Sequence, residues 1–208
     1  MGFYNDRILP HLIALTMRNG NLVACRERVV SRADGRVLEV GIGAGATLPF
    51  YSSRVREIIG LEPAPRLVAM AQQAVKDLRA PVSFVATSAE AIPLDDASID
   101  TVMMTWTLCS VPDAARALAE IRRVLKPGGR LLFVEHGLAP EERVQKWQHR
   151  LTPFWKRNAG GCHLNRAISA LVEDTGFRME RLETGYMHGR PETNDVHVRG
   201  QCSTDLRA

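Results

Sequence analysis

The densest group of residues suited to chemistry is Val37-Leu38-Glu39-Val40-Gly41-Ile42-Gly43-Ala44-Gly45-Ala46-Thr47. Gly41, Gly43 and Gly45 let the backbone turn sharply and lie against a ligand with no Cβ in the way. A glycine triplet alone fits many tight turns. It gains meaning from standing directly after an apolar run, where a strand delivers it to the head of a sheet. Glu39 precedes Gly41 by two residues, and a second acid, Glu62, follows the next apolar run and is followed by Pro63. An acid at such a strand end can accept both hydroxyls of a ribose.

The spacing discriminates between nucleotide ligands. A dinucleotide fold requires G-x-G-x-x-G and sets a pyrophosphate against a helix N-terminus. Here the third glycine is Gly45, position 46 is alanine, and Glu39 would repel a pyrophosphate. The same carboxylate can pair with an ammonium group. S-adenosylmethionine carries an ammonium, a sulfonium and a ribose but no phosphate; it shares the ribose with NAD, so Glu62 does not separate the two, and it is Glu39 that favours S-adenosylmethionine.

Five runs must position these residues: Arg36–Val40, Glu57–Leu61, Val82–Ala86, Ile99–Thr105 and Arg130–Glu135. Each is continuously apolar at its centre, as strands covered on both faces are. Helical spacing separates them, at Leu67, Ala71, Ala74 and Leu78, and at Ala114, Leu118, Ile121 and Leu125 before the stop Lys126-Pro127-Gly128-Gly129. The glycine loop is itself expected to lead into a helix. A further helix over Ile168–Thr175 stops at Gly176, and Met179–Tyr186 and Val196–Ser203 read as strands joined through Gly189 and Pro191. They lack room for a crossover helix and should pair antiparallel. The expected fold is α/β: a Rossmann-like, doubly wound, seven-stranded, mostly parallel sheet with an antiparallel edge strand and an N-terminal helical cap. The single domain divides into a cap (1–33), a cofactor-binding core (34–136), a lid or acceptor segment (137–165), and a last helix with the antiparallel strands (166–208).

Composition narrows the class. A chain of 208 residues buries about 70% of its unfolded surface and folds without disulfides or metal. The 27 basic and 23 acidic residues are interspersed, which argues for a solvated surface and against a nucleic-acid stripe. Cys25, Cys109, Cys162 and Cys202 form no CxxC pair, so no metal site is expected and a reducing cytoplasm suits them. The apolar stretch Ile8–Met17 is too short to span a bilayer and has no signal-peptide flank, so neither stable membrane insertion nor export is expected.

Taken together, these segments resemble the class I S-adenosylmethionine-dependent methyltransferases, of the methyltransferase domain 11 type. LEVGIGAGATL resembles the family's first motif and GLEP its ribose-binding acid. TSAEAIPL is similar to the adenine-capping loop, SIDTVMMTWTLCSVPD to the fourth strand with its following loop, and IRRVLKPGGRLLFVEH to the approach to the fifth strand. Leu108-Cys109-Ser110-Val111, Glu135-His136, Trp147, Pro153-Phe154-Trp155 and Gly161-Cys162-His163-Leu164 are most similar to a group that includes small-thiol methyltransferases. The resemblance implies that Ser88, Ala89 and Glu90 meet the adenine, with Ser88 standing where many relatives have Asp. Some animal relatives carry an N-terminal membrane anchor; none is expected here, and the protein is expected to be soluble.

Acceptor-side groups must lie beyond the strand ends. Thr105, Trp106 and Leu108 follow the fourth strand and are expected to floor the methyl pocket. His136 follows the fifth strand and is the best-placed general base; His163 is the next candidate, and Tyr4 could fold over the cofactor. Trp147, Phe154 and Trp155 in the 137–165 segment suit an apolar acceptor. The expected activity is methyl transfer to a small, partly apolar molecule, a thiol first. Alternatives are a quinone-like carbon, a phospholipid or other amine, or a cofactor-binding module without catalysis. Thr105-Trp106-Thr107-Leu108 lacks the Asn/Asp-Pro-Pro-Tyr/Phe tetrad of nucleic-acid methyltransferases.

Overall fold

The computed structural model describes residues 7–17, 19–75, 78–186 and 196–204. Tyr4 and the Gly189–Pro191 loop lie outside the described residues. Seven strands form one sheet in the order β3-β2-β1-β4-β5-β7-β6. They are β1 (Gly35–Val40), β2 (Val55–Leu61), β3 (Val82–Val85), β4 (Ile99–Thr105), β5 (Leu125–His136), β6 (Arg178–Tyr186) and β7 (Val196–Ser203). The first five are parallel, and β7 runs antiparallel to both β5 and β6. The antiparallel edge is therefore the β6–β7 hairpin, with the reversed strand set one place in from the rim.

Alternation along the strands feeds two cores. Leu38, Val102, Met104, Leu131 and Phe133 pack under α4 (Ala114–Val124) and α6 (Ile168–Asp174) on one face. Val37, Ile58, Met103, Leu132 and Val134 pack on the other face with Leu22, Val29 and Val30 of α2 (Gly20–Val30). The expected cap consists of α1 (Leu9–Thr16) and α2. Pro10 sits in the first turn of α1, where its missing N–H costs nothing, and Gly20 opens α2 after Asn19, whose side chain accepts from Asn21 N at 3.0 Å.

One expectation needs correction. The glycine loop does not enter an α-helix: a single 3-10 turn, Leu48–Phe50, follows it, with Pro49 inside and β2 starting at Val55. The span is too short for a helix that must cross back along the sheet. The 137–165 connection, expected as a lid or acceptor segment, carries α5 (Glu142–Asn158) over most of its length. The other β–α unit on the cofactor side, β2 to α3 (Pro65–Ala74), matches its apolar spacing.

Candidate active site

The carboxyl ends of β1, β2, β4 and β5 open onto one cavity of about 630 Å³, roofed by α1, α2 and the end of α5. The glycine loop forms one wall, and each glycine has a different task. Gly41 (φ +72°) packs so closely that a Cβ would lie 2.3 Å from Thr107 Oγ1, whereas a Cβ on Gly43 (φ +56°) would meet only Gly41 O, at 3.9 Å. Both line the cavity. Gly45 (φ +76°) does not; a Cβ there would meet Leu48 at 2.8 Å and the Ala71 backbone at 3.2 Å. It seats α3 against the loop.

Glu62 lines the cavity at the end of β2, next to Pro63. Its two oxygens accept from Gly43 N at 3.2 Å and Ala64 N at 3.0 Å. Burial raises its pKa against the pull of these two bonds. Each oxygen keeps a lone pair for a further donor. Ser88 and Ala89 line the same wall. Glu90 does not reach it: Ser88 Oγ donates to one Glu90 oxygen at 2.5 Å, and Asp113 N to the other at 2.7 Å. Glu90 thereby ties the loop to the start of α4.

Glu39 stands apart from its sequence-based expectation. It is fully buried and turned away from the cavity, accepting from Thr47 Oγ1 at 2.5 Å and Tyr51 OH at 2.9 Å. Burial pushes its carboxyl up to about 7, although both hydroxyls and the charge of Arg26 oppose the shift. Arg26 is a cavity-lining cation that the motifs did not point to. It lies over the Trp106 ring with 5.2 Å to the centroid and donates to Met17 O at 3.2 Å; its buried Nε has no hydrogen-bond partner among the described residues. The signal was present, since Leu22, Arg26, Val29 and Val30 share one helical stripe and only one of them is charged.

The loop after β4 is held by a buried acid. Glu135 accepts from Thr107 N at 2.8 Å and Leu108 N at 2.9 Å on one oxygen, and from Cys109 N at 3.1 Å on the other. This clamp holds Trp106 in the left-handed region at φ +54°, which a large side chain rarely adopts. Thr105 and Trp106 line the cavity. Leu108 is fully buried in the core under α4 instead, because the same clamp turns it inward.

At the far end of the cavity three chain-distant groups meet. Cys109 Sγ lies 3.5 Å from Cys162 Sγ, and His136 Nδ1 lies 3.8 Å from the first sulfur and 3.5 Å from the second. The hydrogen bond to Cys162 and burial raise the Cys109 thiol pKa, and the reciprocal bond lowers that of Cys162. His136, Cys109 and Cys162 all face the cavity. His163 does not. Its backbone N donates to Cys109 O at 2.8 Å and its ring Nδ1 sits 3.1 Å from the same carbonyl, so it anchors the 161–164 turn. Of the three aromatics in α5, Trp155 lines the cavity, whereas Trp147 and Phe154 are 52% and 67% exposed.

A family model described as a methyltransferase domain matches residues 38–133. Thiol S-methyltransferase TMT1B of Homo sapiens is 32% identical over 188 residues, covering 84% of this chain and 77% of that protein. The Rattus norvegicus protein of the same name is 34% identical over 151 residues, but the chain spans only 62% of its length. Phosphatidylethanolamine N-methyltransferase of Cereibacter sphaeroides is 31% identical over 156 residues, covering 74% of each chain. Among solved structures, a SAM-dependent methyltransferase of Thermotoga maritima superposes with a TM-score of 0.71 at 21% identity, covering 96% of this chain and 97% of that one, which speaks for the fold alone.

Proposed function

Because the chain belongs to the S-adenosylmethionine-dependent methyltransferases, we propose that it methylates a small, partly apolar thiol at the Cys109–His136–Cys162 end of its cavity. One observation carries this reading: a single cavity runs from the glycine loop and Glu62 to a cluster of two sulfurs and an imidazole. The names of the mammalian relatives support a thiol, and the Cereibacter relative makes an amine the second choice.

The residues present fit the cofactor. The space beside Gly43 admits a ligand against the backbone, Glu62 offers lone pairs to ribose hydroxyls, and the unpartnered Arg26 Nε offers a donor to a carboxylate. Ser88 and Ala89 form the adenine wall. Bound there, S-adenosylmethionine supplies an electrophilic methyl group on its sulfonium. Thr105 and Trp106, fixed by the Glu135 clamp, set the line of approach, and alignment of this kind is worth roughly 7–11 kcal/mol. His136, on the cavity side of β5, is the candidate to take the acceptor proton. The end of α5, with Trp155, limits access of water.

No helix among the described residues is long and apolar enough to cross a membrane. All four cysteines are free, which suits the reducing cytoplasm we assign to the protein.

Two measurements test the reading. Calorimetric titration should show binding of S-adenosylmethionine and S-adenosylhomocysteine but not NAD. Transfer of a labelled methyl group should be fastest with alkyl thiols in a panel that includes amines, phosphatidylethanolamine and quinols. Cofactor binding with transfer to none of these would leave a binding module; preference for an amine would overturn the thiol assignment.

A further inference from the structure

We infer that Cys109, His136 and Cys162 form a three-ligand zinc site whose open fourth position faces the acceptor end of the cavity and receives the sulfur of a thiol. The assignment of that fourth ligand rests on the thiol reading above; the metal site itself does not.

Geometry argues first. In a tetrahedral site with Zn–S near 2.3 Å and Zn–N near 2.05 Å, two sulfurs stand about 3.8 Å apart and a sulfur and a nitrogen about 3.6 Å. Here the sulfurs are 3.5 Å apart, and His136 Nδ1 lies 3.8 and 3.5 Å from them. All three edges match to within about 0.3 Å, so a single ion can touch all three atoms with little rearrangement.

Donor chemistry argues next. Two thiolates and one imidazole are a borderline-soft set that selects zinc over magnesium or calcium. Three protein ligands with the fourth position left to solvent or substrate are the pattern of a reactive zinc site, whereas structural sites close with four. Among the described residues the ligand set has three members, and it borders the cavity.

The ligands are also held from behind, as metal ligands must be. Glu135 fixes the backbone at Cys109, and Cys109 O accepts from His163 N at 2.8 Å, which locks the Cys162 turn to the Cys109 loop. Arg166 adds donors to Leu108 O and, at 2.8 Å, to Val111 O. Three segments far apart in the chain are thus tied together by one backbone bond and by the side chains of Glu135 and Arg166 on main-chain groups before any ion arrives.

The chemistry balances without redox change. The acceptor thiol binds zinc as a thiolate and releases its proton to water. Its lone pair then forms the new sulfur–carbon bond while the sulfonium–methyl bond breaks, and that electron pair returns to the cofactor's sulfur. The neutral thioether is a poor ligand and departs, leaving Zn²⁺ unchanged. With zinc bound, His136 is a ligand through Nδ1, and the metal replaces it in the role of base given above.

The test uses the whole chain, purified with a phosphine reductant in place of a thiol. Elemental analysis should find about one zinc per chain, and Co²⁺ added to chelator-stripped protein should give thiolate charge-transfer bands and a tetrahedral ligand-field spectrum. Cys109→Ser, Cys162→Ser and His136→Asn should each weaken Co²⁺ binding by at least about 100-fold. Binding of S-adenosylhomocysteine and circular dichroism report folding, and the partly exposed His136 provides the variant that least disturbs the core. Adding 2-mercaptoethanol should shift the ligand-field bands, and ethylene glycol should not. Less than about a tenth of an equivalent of metal, metal binding that survives all three substitutions, or a Cys109–Cys162 disulfide with no uptake after reduction each overturns the site. Bands unmoved by the thiol overturn the acceptor role. Thiol methylation that chelation leaves intact sinks the zinc proposal while the function stands; metal binding with thiol-shifted bands but no methyl transfer does the reverse.

Discussion

Glu39 sets up a pH dependence of stability that one substitution should remove. Its carboxyl is fully buried, and burial raises its pKa from 4.5 to about 7. A raised carboxyl favours the folded state most when protonated. Its contribution is therefore complete below about pH 4.5, the unfolded value, and disappears as pH climbs through about 7. A tenfold change in proton affinity is worth about 1.36 kcal/mol, so from about pH 5 to about pH 8 the wild type should lose about 2.5 kcal/mol through this one group. That is a large fraction of the roughly 5–15 kcal/mol that holds a typical domain folded. Glu39→Gln keeps the shape, still accepts from one of Thr47 and Tyr51, and cannot ionise. Urea unfolding of both proteins across this range yields two curves, and their difference isolates Glu39 from carboxylates such as Glu62 and Glu135 that also titrate. The variant should lose stability at low pH, where it forfeits part of a satisfied network, and gain on the wild type by about 2.5 kcal/mol toward high pH. Parallel curves would show that Glu39 stays ionised throughout and that Arg26 compensates for its burial.

Six other substitutions probe the cavity and the groups that support it. Glu62→Gln should weaken S-adenosylmethionine binding by about 10- to 100-fold, or about 1.5–3 kcal/mol, in calorimetry, because a charged acceptor is lost. Gly41→Ala forces a Cβ to 2.3 Å from Thr107 Oγ1 and should prevent folding, whereas Gly43→Ala, whose Cβ meets only Gly41 O at 3.9 Å, should fold with a loss of about 1–2 kcal/mol and block the cofactor; thermal melts with and without ligand separate the two. Glu135→Gln removes at least one of three charge-assisted bonds and should cost about 1–3 kcal/mol in urea unfolding while raising the acceptor KM more than the cofactor Kd. His163→Ala should cost only about 0.5–1.5 kcal/mol and leave single-turnover transfer within a factor of a few, whereas His136→Ala should slow transfer by about 100-fold or more; equal losses in both would refute the separation of their roles.

The strands were legible because β1, β2, β4 and β5 are buried over most of their length, so each carries an apolar stretch, whereas the half-buried β3 is interrupted by Ser83. The hairpin followed from the absence of space for a crossover. Helix α5 escaped for the opposite reason: only Gln148 and Thr152 are buried in it. It is fastened by polar contacts, with Gln148 donating to Gly137 O and accepting from Ala139 N, each at 2.9 Å, while the apolar residues at helical spacing, Val144, Trp147, Leu151 and Trp155, stay half-buried or exposed. Glu39 was assigned to the ligand from its position alone. Sequence spacing could not show that Thr47 and Tyr51, the residues just past the glycine loop, fold back to occupy both of its oxygens.

The same contrast divides the cavity itself. Its cofactor end is assembled from loops that each follow a strand directly, and short-range spacing therefore reveals Gly41, Gly43, Glu62 and Ser88. Its acceptor end is made where the loop after β4, the last residue of β5 and the turn after α5 converge, and no spacing links Cys109, His136 and Cys162. Reading the cysteines as isolated was sound for a motif and misleading for a fold, because a pair remote in sequence is brought to 3.5 Å where the Glu135 carboxylate holds one loop and His163 N docks the other on Cys109 O. The cofactor is a property of contiguous segments, shared by every chain that keeps them. What this protein does to its acceptor depends on a tertiary junction, and measurements of metal content and acceptor preference at that junction bear on it more directly than further study of the glycine loop.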